Sequence, residues 1–133
     1  MNTASVTHWS TLDYEPGEQF VAWDSALNDN YGSWISDHSR PKTFNAQVER
    51  IEKGSMRVIK CRCEPCKGTR PARLAKAERD HFAVVQLVKS GKEVMVIDEA
   101  EHLLEAGDLI VWDSTRPMMF DVRSELDKVS LVM

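Results

Sequence analysis

The densest group of reactive side chains is Cys61-x-Cys63-x-x-Cys66. Closely spaced thiolates recur in metal sites. Lys60, Arg62 and Lys67 stand beside them, and neighbouring cations lower a thiol pKa. A structural zinc needs a fourth ligand, and no second cysteine pair supplies it. A disulfide switch needs only two of the three. The group therefore reads either as a thiol- or zinc-based sensor, or as a strand end and loop that carry unused cysteines. His8, His38, His81 and His102 lie in dissimilar contexts and form no cluster in the sequence. Arg70, Arg73 and Arg79 precede an apolar run. They could grip a carboxylate through bidentate contacts, or form a solvated basic loop.

These groups must be held by elements that the hydrophobic pattern outlines. Residues 1–15 are polar without a clear period, which predicts a flexible or irregular segment. Phe20, Trp23, Leu27 and Tyr31 then recur at helical spacing, so 16–31 reads as an amphipathic helix that covers a sheet. Pro16 suits its start, and Asn30 with Gly32 its end. Residues 33–43, including Arg40 and Pro41, read as a loop. The period then changes to two. Phe44–Ile51 and Met56–Cys61 flank Glu52-Lys53-Gly54-Ser55 and make a hairpin. Residues 64–80 read as a connection with one irregular helical turn. Short strands follow at 81–89, 92–98, 102–104, 109–113, 118–122 and 129–133, with turns between them. This even spacing predicts a mainly β sandwich or small barrel.

The 133 residues suit one domain, with 42% hydrophobic and 29% charged residues, as in an ordinary globular chain. Lysine plus arginine is 17 and aspartate plus glutamate is 21, a net charge of −4. That balance argues against direct nucleic-acid binding, which needs a basic footprint. No apolar run reaches the ~18 residues of a membrane span. The start MNTASVTHWS has neither the basic nor the apolar region of a secretory signal. With an odd cysteine count, this predicts free thiols in a reducing, cytoplasmic setting.

Two fragments are more specific. One is Ser90-Gly91, a strand, then Leu104-x-x-Gly107-Asp108. The other is Gly107-Asp108-Leu109-x-x-x-Asp113-Ser114-x-Arg116-Pro117. Together, with Thr69-Arg70 and the Phe82–Leu87 strand upstream in the same order, they resemble the N-terminal regulatory domain of AraC/XylS-type transcription regulators, in the AraC-binding-like subgroup. The resemblance covers roughly residues 20–133. It implies a cupin-like double-stranded β-barrel (jelly roll) behind an N-terminal amphipathic helix, with 16–133 as the effector-sensing unit. It also implies a non-enzymatic role, a small-molecule effector, no cofactor and a possible homodimer. DNA would be reached only through a helix-turn-helix half absent from this chain. In physical terms, Gly107 supplies a backbone angle that a β-carbon opposes, and Asp108 accepts from turn amides. Asp113 and Arg116 bracket the next turn and could pair across it. Pro117 fixes the start of a strand.

Catalytic cupins hold a metal with a His-x-His pair, a carboxylate and a later histidine. Here the first position offers only His81, and Ile110 stands where the later histidine would fall. One histidine cannot assemble a metal site, so a metal-dependent cupin enzyme is the weakest reading. On 118–122, Asp121 should face water, which turns Met118 and Phe120 inward. Such an interior favours an apolar or aromatic effector over a sugar. Gln86 and Trp112 could orient it, with His81 and Arg79 nearby. Which face of 81–89 and 109–113 points inward stays open, because both faces are largely apolar. The helix at 16–31 and the 64–80 connection are the expected coupling elements.

Overall fold

The computed structural model describes residues 3–39 and 42–133, so Arg40 and Pro41 of the expected loop lie outside the described residues. The chain runs β1 (Ser5–Ser10), α1 (Gln19–Tyr31), β2 (Ile35–Ser36), β3 (Ala46–Lys53), β4 (Met56–Cys63) and β5 (Lys67–Arg70). It continues through α2 (Ala72–Ala77), β6 (Ala83–Ser90), β7 (Glu93–Ile97), β8 (Ala100–Leu104), β9 (Leu109–Asp113), β10 (Met118–Val122) and β11 (Leu126–Val132). The strands form two antiparallel sheets, ordered β1-β3-β4-β11-β6-β9 and β2-β5-β10-β7-β8. Among the described residues no strand belongs to both sheets. The expected jelly roll is thus present as two antiparallel sheets, without a closed barrel among the described strands.

Several segments differ from expectation. Residues 5–10 form an edge strand on β3, with Val6 opposite Ile51 and His8 opposite Glu49. That segment was expected to be irregular. Its alternation is weak because an edge strand is specified by the neighbour it pairs with as much as by its own pattern. Residues 67–70 form β5 inside the expected connection, and 35–36 form β2 inside the expected loop. These stretches are too short to show a period. The β7–β8 turn falls on Asp98 and Glu99, both at positive φ (51° and 66°), one residue earlier than the turn expected at 99–101. Such a turn matches the twist of a two-residue hairpin.

The doubly apolar strands have a structural explanation. Val84, Gln86 and Val88 of β6 face inward with Trp112 of β9, while Leu109 and Val111 are exposed. Val6, Ile51, Val58, Leu131, Val85 and Val111 lie in register across the six-stranded sheet, on its outer face. Alternation within each strand is therefore apolar on both sides.

Helix α1 ends at Gly32, whose φ of 80° suits a residue without a β-carbon. Its buried face carries Phe20, Trp23, Leu27 and Tyr31, as the spacing predicts. That face meets both sheets. Tyr31 Oη hydrogen-bonds Ser130 Oγ on β11 at 3.1 Å. Trp23, Leu27 and Tyr31 enclose a space with Gln86 and Lys128 of one sheet and Met95 and Phe120 of the other. The helix thus closes the mouth of the sandwich rather than covering the outside of one sheet. It positions everything described next.

Candidate functional site

The interior between the sheets holds polar side chains where a purely structural core would be apolar. Gln86 and Glu93 are each 1% exposed. Gln86 Nε2 donates to Glu93 Oε1 at 2.5 Å, and Trp112 Nε1 approaches Gln86 Oε1 at 3.5 Å. Lys128 extends from β11 into the same space. Its Nζ lies 3.8 Å from Glu93 Oε2 and 4.8 Å from the Tyr31 ring centroid. Burial alone would push the lysine toward neutrality. The carboxylate of Glu93 and the electron-rich surroundings outweigh that and hold its pKa above the ordinary range. Burial pushes the Tyr31 phenol up, and Lys128 only partly offsets it. At neutral pH Lys128 is therefore an ammonium and Tyr31 a neutral phenol, beside the side chains of Gln86 and Glu93.

Aromatic rings wall this centre. Trp34 meets Trp112 edge-on at 5.8 Å and Phe120 at 5.2 Å, while Trp34 Nε1 donates to Tyr31 O at 2.9 Å. The cavity between them is ≈ 20 Å³, about one water's worth of space. Of the residues expected at a ligand site, Gln86, Trp112 and Phe120 line it. Met118 is buried in the neighbouring core, as the alternation on β10 predicts. His81 and Arg79 are exposed and do not line the cavity. They lie on the stretch between α2 and β6, before the strand turns inward.

The arginine trio is divided. Arg70 is fully buried and donates to Ser33 O and Ser114 O, both at 2.9 Å, with Glu78 3.9 Å away. It ties the chain leaving α1 to the β9–β10 turn. Arg73 and Arg79 remain on the surface.

The cysteines are corrected in their chemistry. Cys61, Cys63 and Cys66 are all buried and free, each at most 3% exposed. Alternation sends Lys60 and Arg62 to the opposite face of β4, where they pair with Glu49 (3.6 Å) and Asp127 (3.3 Å). They cannot stabilise an inward thiolate. The Cys63 thiol hydrogen bond and burial raise the Cys61 pKa well above its usual value. For Cys63, the bond with Cys61 lowers the pKa, but the bond with Cys66 and burial together outweigh it. Among the described residues no group of three histidine, cysteine or acidic side chains is arranged to hold a metal. The zinc-site reading of these thiols is therefore set aside.

The turn motif is built as its residue types imply. Gly107 sits at φ 92°, and its N–H donates to Val88 O at 2.8 Å. Asp108 Oδ2 accepts from Glu105 N at 2.8 Å. Asp113 Oδ1 accepts from the Thr115 amide at 2.9 Å and from its hydroxyl. Arg116 lies 3.8 Å from Asp113 and also pairs with Asp98 in the β7–β8 turn. Pro117 immediately precedes β10.

Sequence reasoning did not identify Lys128, Glu93, Trp23 or Tyr31 as one site. A usable signal existed at Lys128. In Leu126-x-Lys128-x-Ser130-x-Val132 the lysine shares a face with residues expected in the core. Beginning the last strand at Val129 hid it.

Residues 23–133 match the family described as the AraC-binding-like domain. An uncharacterized protein in the nit 5' region of Bacillus sp. (strain OxB-1) is 22% identical over 119 residues, spanning 90% of this chain and 46% of its own length. The crystal structure of the AraC-like transcriptional activator CuxR superposes with a TM-score of 0.83 at 15% identity, covering 97% of this chain and 47% of that one. An RmlC-like cupin from Shewanella frigidimarina NCIMB 400 gives a TM-score of 0.51 at 13% identity, covering 67% of this chain and 74% of that one. At these identities the structural matches establish likeness of fold. The chain spans about half the length of the curated relative and of the activator. Among the described residues no helix is long and apolar enough to cross a membrane.

Proposed function

The chain belongs to the AraC-binding-like domain family, and from that premise we propose that it is a non-enzymatic, cytoplasmic domain that senses a small apolar or aromatic effector. DNA binding would rest on a segment outside this chain, and a homodimer is the expected assembly. The observation that carries this reading is the polar centre of Gln86, Glu93 and Lys128, set within the rings of Tyr31, Trp34, Trp112 and Phe120. Apolar walls with a few fixed polar groups are the usual make-up of a small-molecule site.

The cavity of ≈ 20 Å³ is too small for such an effector as it stands. Binding therefore draws on a minor state in which α1 has moved from the mouth of the sandwich. The effector acts by shifting the population toward that state. Movement of α1 reaches the surface through Arg70, which holds Ser33 just beyond α1 and Ser114 in the β9–β10 turn.

The test is a screen of aromatic acids, amines, aldehydes and sugars by thermal shift and tryptophan fluorescence. A ligand that binds only the native state raises the midpoint by mass action. The expected outcome is a saturable rise with an aromatic or apolar compound, matched by a fluorescence change from Trp23, Trp34 and Trp112. A screen with no saturable response in either channel removes the reading.

A further inference from the structure

We propose that the groove between β1 and α1 docks a basic, extended segment of another protein, which adds to the edge of β1 as a further strand. This surface lies on the outside of the molecule, and the interior centre plays no part in it. β1 ends the six-stranded sheet, and among the described residues only β3 flanks it. Backbone groups along a strand alternate in direction. Ala46 N donates to Thr11 Oγ1 on the β1 side of β3, while Asn45 O accepts from Glu64 N beyond β4 on the other side. Even-numbered residues of β3 therefore bond to β1, and the register makes their partners Ser5, Thr7 and Trp9. The N–H and C=O groups of Val6 and His8 point the other way. They line an edge with no proline, no lysine and no shift of register. Such an edge is a template for another strand.

A groove of ≈ 640 Å³ runs beside this edge. Thr7 and His8 both line it, although consecutive side chains of a strand point to opposite faces, so the groove reaches the backbone edge itself. The facing wall is Glu18, Val21, Ala22, Ser25 and Asp29, a stripe along α1 and the turn before it. Val21 is 64% exposed there. Glu18 and Asp29 enter no ion pair among the described residues, and the guanidinium of Arg50 in the groove is engaged by Glu52. The charge around the groove is one-sided. Residues 1–39 hold six of the 21 acidic residues and none of the 17 lysines and arginines. A second copy paired edge to edge would set this acidic layer against itself, whereas a basic segment complements it. Glu18 and Asp29 are about 16 Å apart along the helix axis, the length of roughly five strand residues. One face of a strand presents every second side chain. The matching segment is therefore basic-x-apolar-x-basic, with its apolar side chain against Val21 and Ala22. Main-chain hydrogen bonds to Val6 and His8 supply the attachment, and the wall of α1 supplies the selection.

The test titrates two labelled peptides of one length against the full chain by fluorescence anisotropy. One contains Lys-Thr-Val-Thr-Lys and the other Glu-Thr-Val-Thr-Glu. The proteins are the wild type, Glu18→Lys/Asp29→Lys in the groove, and Glu101→Lys/Glu125→Lys, which changes the net charge equally on other exposed positions. The basic peptide is expected to bind the wild type and the acidic one not. Reversing both groove charges should weaken the basic peptide roughly tenfold or more, and the remote variant should bind it nearly as the wild type does. Amide hydrogen exchange at Val6 and His8, followed by NMR, should slow when the basic peptide is bound. Equal binding of the two peptides, or equal weakening by the two variants, reduces the contact to bulk charge and overturns the proposal. A bound peptide that leaves exchange at Val6 and His8 unchanged overturns strand addition, and no binding of the basic peptide overturns the site. A dimer on a sizing column that the basic peptide dissociates would give the groove to a second copy and overturn the choice of partner. Should circular dichroism show the groove variant unfolded, the peptide comparison and the exchange at Val6 and His8 in the wild type decide.

Discussion

The Gly107–Pro117 segment and the Gln86–Glu93–Lys128 centre are built on opposite plans. In the first, the side chains of Asp108, Asp113 and Arg116 bond to residues a few positions away or in the next turn, and these charged side chains face water. Asp108 serves Glu105, Asp113 serves Thr115, and Arg116 is 53% exposed. In the second, the three key residues come from β6, β7 and β11, and the charges are buried. The difference separates two kinds of residue. Local turn chemistry fixes the path of the backbone and costs little when altered. Chemistry assembled across strands is expensive to place, and it is retained in the interior at a cost in stability that an apolar core would avoid.

The comparison breaks most readily at the buried pair. Lys128→Ala leaves the Glu93 carboxylate buried and unpaired, and removal of one partner from such a pair costs about 3–5 kcal/mol. The double replacement Lys128→Met/Glu93→Gln removes both charges and should lie much closer to wild type. Urea unfolding of both proteins checks this. If the single variant loses less than about 1 kcal/mol, the interior is wet enough to solvate Glu93 and the contrast with the surface turn disappears.

The glycines sharpen the contrast at intermediate size. Gly91 and Gly107 sit at nearly the same backbone angle, φ 89° and 92°. A β-carbon on Gly91 would lie 2.1 Å from Glu125 O, whereas one on Gly107 would meet nothing within 4 Å. Backbone strain is common to both, of order 1–3 kcal/mol. Gly91→Ala adds a clash with main chain that cannot rotate away. Gly91→Ala should therefore lower the unfolding midpoint clearly more than Gly107→Ala. Equal losses would mean that the β6–β7 turn can yield, and that conformation alone governs both positions.

The same contrast explains what could be read from sequence. Asp108 and Asp113 were legible because each acts within a few positions of its partner, and residue type is enough to identify them. Helix α1 was legible because four large apolar residues share one face. The strands of the second half were found, and the inward face of β10 with them, but the inward faces of β6 and β9 were not, since Val85, Leu109 and Val111 make the outer surface apolar too. The polar centre was only partly visible. Gln86 and Trp112 stood out as polar-capable residues in apolar strands. Lys128 fell just before the strand expected at 129–133, and Glu93 stood inside the strand expected at 92–98 with nothing to mark it, until the register brought them together. The cysteines misled for a related reason. Their spacing and charged neighbours are sequence properties, while thiol acidity depends on which side of the strand each neighbour occupies.

The smallest effect belongs to Arg116. Its two partners, Asp98 and Asp113, are about half exposed, as it is itself. Exposed pairs contribute about 0–1 kcal/mol and weaken with salt. The Asp113 carboxyl is held below its ordinary pKa first by the Thr115 hydroxyl, then by the Thr115 amide, with Arg116 a lesser cause. A lowered folded-state pKa means that its contribution is present above the unfolded value of about 3.9 and is lost as pH falls through the folded value. Arg116→Ala should therefore leave most of this acid-side dependence intact, and Thr115→Val should remove more of it. Unfolding midpoints between pH 2 and 6 for the two variants distinguish them. A larger loss of pH dependence in Arg116→Ala would show that charge across the turn, rather than hydrogen bonding within it, controls Asp113.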